Sequence, residues 1–446
     1  MKKVITLFVF VIIMRSGTSE GIEFGGYLQT DDRIAINQNH DFSWQEYRLA
    51  LNANADMSDK ARFYSEIWLR SWGFPAIQNS SDLLNADRVF PWNLQLREAY
   101  LDLYGFPLKN ADVRIGKQRI TWGTADKMNP TDNLNPDDLE DIWDFGRHTG
   151  SNGLKISYYL KDLNFLGTII PIFSPAILPK GNWTKLLMPS FNVPAGLTIR
   201  NISDSIIQPE ANTKNSSTYG LKIAKNLLGY DFSLSYVYGR DDLPMPKKIT
   251  FTPSAADPGE VDMKSELFFP RTRILGLDMS GSVAGFGIWG EGALFCSEEI
   301  IMTTDLSALG LGVTDSTILK NRVYAKYVVG TDYSLRDRVY INVQYLHGFF
   351  HERGKENLED YLLLGLEWSL LNEKLKLMPI SGGLEIKALK NIKENYALIY
   401  LPEISYHPID NAEINLGARW IQGAAATTFG KAKDHSEAYL KVKYSF

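Results

Sequence analysis

Ala438-Tyr-Leu-Lys-Val-Lys-Tyr-Ser-Phe446 ends the chain, and within it Leu440, Val442, Tyr444 and Phe446 alternate with Tyr439, Lys441, Lys443 and Ser445. A period of two sends successive side chains to opposite faces of a strand, so this segment has one apolar face and one polar face. Either a second sheet or lipid could cover the apolar face. The rest of the chain has to decide between them.

At the other end, Lys2 and Lys3 precede an apolar run, Val4 to Met14, that is too short to cross a bilayer as a helix. It reads as a secretory signal peptide over 1–19, with Gly17 and Ser19 as the small residues before cleavage. The mature chain is then 20–446. Hydrophobic residues make up 44% of the sequence, yet no later segment approaches the roughly 20 apolar residues of a spanning helix. A membrane location would have to be reached with strands. The single cysteine, Cys296, excludes an internal disulfide and any multi-cysteine metal site. The formal charge of −5 becomes −8 once Lys2, Lys3 and Arg15 leave with the signal, so no basic face for nucleic acid is expected.

Segments with period-two alternation recur along the mature chain. In Glu46 to Asp56, Tyr47, Leu49, Leu51, Ala53 and Ala55 share one face while Glu46, Arg48, Asn52 and Asn54 share the other. Short connections fall near 57–59, 106–109, 161–162, 227–228, 282–284, 333–336, 371–373 and 408–410. Between them lie mostly longer ones near 37–43, 73–94, 123–148, 174–215, 240–270, 298–318, 351–357, 389–394 and 424–434. This asymmetry fits periplasmic turns and extracellular loops, and a soluble sandwich has no reason to produce it. The expected fold is all-β: a transmembrane antiparallel up-and-down barrel of about eighteen strands, or sixteen if Pro379 and Pro402 make 373–423 pair otherwise. The last strand resembles the terminal strand by which Gram-negative outer-membrane barrels are recognised and inserted. That resemblance implies Leu440, Val442, Tyr444 and Phe446 as an insertion signal, with the barrel-assembly machinery, outer-membrane lipid and lipopolysaccharide as partners. Closure requires the last strand to pair with the first, near Phe24 to Thr30.

In such a barrel the polar face lines the lumen. Candidates for the lumen and its constriction are Arg48, Arg62, Glu66, Arg70, Glu98, Asp102, Arg114 and Gln118. Further lumen candidates are Glu46, Lys222, Glu291, Arg322, Lys326, Arg338, Asn342, Gln344, Glu413 and Arg419. Both signs occur, which argues for weak charge selectivity.

The most distinctive local pattern is Arg114-Ile-Gly-Lys-Gln-Arg-Ile-Thr-Trp-Gly-Thr-Ala-Asp126, followed by Asp132-Asn-Leu-Asn-Pro-Asp-Asp138. It resembles a family of outer-membrane barrels catalogued as a domain of unknown function, marked by an R-I-G-R-Q strand, a W-G-x-S-D turn and a D-x-x-N-P-x-D loop. The matching positions include Gly116, Trp122, Gly123, Asp126, Asp132, Asn135, Pro136 and Asp138, while Lys117 and Ala125 depart from the pattern. The resemblance implies transport or export of hydrophobic compounds. Read from the residues, the same stretch is a strand running into an acidic loop whose Asp side chains can cap backbone amides. Hard oxygen ligands for calcium are abundant there, but the spacing does not match the 12-residue EF-hand loop, and no metal is assigned. The loop can also fold inward and pair with Arg62, Arg70 or Arg114 as a constriction.

Loop 174–215 is rich in proline yet apolar, with Trp183, Leu187, Met188 and Phe191 as candidates to meet a solute at the mouth. Packing on its own barrel, dipping into the outer leaflet and capturing a ligand are the three readings. The six histidines are scattered, and no G-x-S-x-G stands in a strand–turn–helix setting, so neither an enzyme nor a cofactor is expected. The expected function is passive passage of small hydrophobic or amphipathic solutes across the outer membrane of a Gram-negative bacterium. A general hydrophilic porin and a plugged structural or adhesive barrel are the alternatives.

Overall fold

In the computed structural model, which describes residues 21–37, 40–180, 183, 198–254, 259–336 and 338–446, the alternating segments are antiparallel strands in one sheet that closes on itself. The proposed signal peptide lies outside the described residues. Closure runs through the two chain ends. Strand Ile22–Ala35 pairs on one side with Phe42–Ser58 and on the other with Glu437–Ser445, from Tyr27 opposite Ser445 to Ala35 opposite Glu437. Gly26 and Phe446 complete the seam by exchanging two backbone hydrogen bonds of 3.0 Å. The first-to-last pairing expected from the sequence is present.

Among the described residues, Tyr396–Tyr400 and Glu403–Tyr406 lie end to end between the same two neighbours, so the barrel has 18 strands. The break falls at Leu401-Pro402, because a proline has no N–H for the ladder. Pro379 acts similarly, and the register of its strand slips between Leu366 and Trp368 of the neighbour. All eight expected short connections and all nine longer ones fall between barrel strands.

Outward positions such as Leu28, Leu94, Leu221, Leu277, Val329 and Leu416 are exposed, while inward positions on the same strands are buried. Leu440, Val442, Tyr444 and Phe446 belong to this outer belt. An exposed apolar belt on a sheet without edges is suited to hydrocarbon, where an unpaired backbone group would cost several kcal/mol.

Three stretches expected to be loops contribute strands. Thr198–Ile207, Met245–Pro253, Glu260–Phe268, Ile300–Asp305 and Val313–Leu319 form a second, 5-stranded sheet. Two of its pairings are parallel and join different loops. Its own small core comprises Ile249, Phe251, Val261 and Met263. The alternation of these apolar residues is local, but their partners lie in other loops.

Candidate solute site in the barrel lumen

The lumen wall near the long-loop end is built from arginines stacked on tryptophans. Arg33 lies over Trp44 at 4.7 Å, Arg70 over Trp72 at 4.5 Å, and Arg48 and Arg97 both over Trp68 at 4.1 and 4.2 Å. Such stacking fixes the guanidinium planes in partly desolvated positions. Glu46 accepts from Arg48 at 2.8 Å and from Arg70 at 2.6 Å.

Against this wall lies the segment 119–150, folded into the barrel. Its carboxylates meet the arginines: Glu140 with Arg70 at 2.5 Å, Asp138 with Arg97 at 2.8 Å, and Asp141 with Arg33 at 2.9 and 2.5 Å. On the far side, Glu291 accepts the backbone N–H groups of Thr124, Ala125 and Thr131. Loop and wall are thus joined across the lumen. Burial alone would raise the Asp141 carboxyl, but the Arg33 guanidinium outweighs it and holds the group well below the usual carboxylate range.

The sequence motif builds this loop. Gly116 has φ +128°, and an added Cβ would stand 2.4 Å from the Ala99 carbonyl oxygen, so the strand passes its neighbour too closely for a side chain. Asn135 Oδ1 accepts from Ile120 N–H at 2.6 Å, and its Nδ2 donates to the Gln118 carbonyl and to Ser151. Asp132 pairs with Arg119 and accepts from Trp122 N–H at 3.4 Å. Pro136 accepts from Thr149 N–H at 3.0 Å. Trp122 is buried with Ile120, Leu134 and Ile170. Gly123 passes so close to the Glu291 carboxylate that a Cβ would lie 2.4 Å from it. Asp126 is exposed and lies outside this network.

The sequence candidates divide into two groups. Arg48, Arg70 and Gln118 are buried where loop and wall meet, and Glu98 joins them by accepting from Arg119 N–H at 2.6 Å. Asp102 and Arg114 form a two-point pair of 2.7 and 2.9 Å, and Glu66 accepts from Trp68 and Tyr64. These three pair with their own wall; of Arg62, Arg70 and Arg114, the alternatives for the loop's carboxylates, it is Arg70 that meets the loop among the described residues. Arg62 is half-exposed near the short-turn end, bound to Asn54 and 3.8 Å from Asp56, away from the contacts between loop and wall. Arg322 lies in a connection and Arg338 in a turn, both exposed, because the strands beside them are shorter than the alternation implied. Arg33 and Arg97 were not singled out in the sequence. Arg97 faces inward because the register slips between Glu66 and Ile67 of the neighbouring strand, which breaks the alternation beside Glu98.

Between loop and wall is a cavity of about 1760 Å³, counting the part open to solvent. One part of its lining is aromatic: Trp143, Phe145, Phe349 and Phe429, with Trp183 packed edge-on against Trp143 at 5.5 Å. Leu187, Met188 and Phe191 lie outside the described residues. The first part of loop 174–215 does lie on its own barrel's inward loop, through the Ile177 and Asp137 backbones and a 2.7 Å pair of Lys180 with Glu140. Another part of the cavity lining is polar and includes Asp137, Asp241, Asp242, Lys326, His351 and Arg353. Burial pushes the His148 imidazole down, and its Nδ1 lies 3.1 Å from an Asp137 carboxylate oxygen. Among the described residues, no group of three or more His, Cys, Asp or Glu side chains is placed to hold a metal.

No protein-family model matches the chain, and no curated protein matches it. Among solved structures it is similar to OmpT (in-vitro folded), an outer membrane protein of Vibrio cholerae, at 10% identity and a TM-score of 0.44, over 95% of this chain and 97% of that one. The trimer form of the same protein gives 9% identity and a TM-score of 0.43 over 95% and 99% of the two chains. Salmonella typhi OmpF in complex with daunomycin gives 8% identity and a TM-score of 0.40 over 95% and 97%.

Proposed function

We propose that this protein is an outer-membrane channel that passes small hydrophobic or amphipathic solutes through the barrel lumen. The observation that carries the reading is the cavity between the inward loop and the wall, aromatic on one side and polar on the other. A purely hydrophilic pore has no use for an aromatic wall beside its inward loop. The motif resemblance to a barrel family linked with hydrophobic compounds points the same way. On this reading the leader directs export, the outward Leu440, Val442, Tyr444 and Phe446 serve assembly, and the chain carries no enzymatic activity.

The buried ion pairs that pin the loop favour a second reading, a plugged structural barrel. Swelling of proteoliposomes separates the two. Under the channel reading, small neutral amphipathic solutes enter proteoliposomes faster than sugars of equal mass. Equal rates for both would favour the general porin, and no swelling with any solute would leave the plugged barrel.

A further inference from the structure

The carboxylates around the cavity fall into two groups. Asp132, Asp138, Glu140, Asp141 and Asp241 each pair with an arginine. Asp137 and Asp242 differ: among the described residues, no Lys or Arg nitrogen forms an ion pair with either within 4.0 Å. They are held together, since the Asp137 N–H donates to Asp242 Oδ2 at 2.6 Å. The nearby cations are engaged elsewhere. Arg353 makes a two-nitrogen pair with Asp241 and donates to the Phe350 carbonyl at 2.5 Å. The Lys326 ammonium donates to the Phe349 and Phe350 carbonyls at 2.7 and 3.1 Å. Asp137, whose carboxylate lies 3.1 Å from His148, and Asp242 both line the same cavity as the aromatic wall.

We propose that this cavity is a binding site for amphipathic cations, compounds with an apolar or aromatic body and one protonated amine. The amine sits at Asp137 and Asp242, and the body lies against Trp143, Phe145 and Phe349. Two carboxyls brought together with no Lys or Arg nitrogen among the described residues within 4.0 Å of either repel each other, and an ammonium between them removes that cost. Burial and the Asp241 charge push Asp242 up to about 6, and burial with the Asp242 charge raises Asp137. Aromatic faces add attraction for the same charge. The proposal deepens the channel reading, which it needs only to place the site on a route across the membrane.

Calorimetric titration of the full-length protein, refolded in detergent, tests it with 1-naphthylmethylamine, 1-naphthylmethanol and 1-naphthoate, which share one ring system. The amine is expected to bind about tenfold tighter than the other two. Asp242→Asn and Asp137→Asn should each bring the amine close to the alcohol while leaving the alcohol's affinity unchanged. Asp162→Asn, on a short turn far along the strand, removes the same charge and should preserve the preference. Equal affinity for amine and alcohol, or a preference that survives both cavity substitutions, overturns the proposal. If amine selectivity fails while proteoliposomes still swell with neutral solutes, only this inference falls. If the carboxyl-dependent amine binding holds while no solute passes, the site stands and the channel reading falls.

Discussion

Asp141 and Arg33 show at the residue scale how the inward loop is held. The two meet through paired hydrogen bonds, and Asp31 binds the remaining side of the guanidinium at 2.9 Å. Because the Asp141 carboxyl is held below the roughly 3.9 of an unperturbed aspartate, its stabilising contribution is complete above that value. It is lost as the pH falls through the folded-state value. Hydrogen exchange of residues 140–147, corrected for intrinsic rates, should therefore stay slow from neutral pH down to about pH 4 and rise only below it. A release centred between pH 5 and 7 would show that Asp141 is not the latch.

At the scale of elements, the molecule has two independently cored sheets. Phe251 is one of 4 buried side chains in the core of the outer sheet, so Phe251→Ala should cost that sheet about 3–5 kcal/mol. Limited proteolysis is expected to cut the variant within 245–319 while the barrel stays intact; loss of the whole barrel would mean that the sheets fold as one unit. The barrel strands were legible because each carries its own alternation and because the prolines at 379 and 402 announce their own interruptions. The outer sheet was not, since Glu260–Phe268 pairs with Thr198–Ile207 across two different loops. Part of the loop–wall contact could be read from Arg48, Arg70 and the acidic loop. Arg97 could not, because a one-residue slip in register turns it inward and no local pattern marks the slip. Asp242 and Phe349 reach the cavity from separate connections, so only the closed barrel brings them together.

On the scale of the whole molecule, closure, outer belt and inward loop form one argument. A seam from Gly26 to Phe446 removes the edges, the outer belt is apolar, and among the described residues the lumen holds buried charge matched by charge. Breaking one such pair strands its partner, a loss of about 3–5 kcal/mol for a buried ion pair. Arg33→Met leaves Asp31, Asp141 and Glu437 without that guanidinium, and the loop loses its tie to the first strand. Planar-bilayer recording of the wild-type protein beside Arg33→Met is the most direct test of a lumen channel narrowed by its own loop. Small, steady current steps in the wild type and larger, noisier steps in the variant are the expected result; the absence of current in both would contradict it.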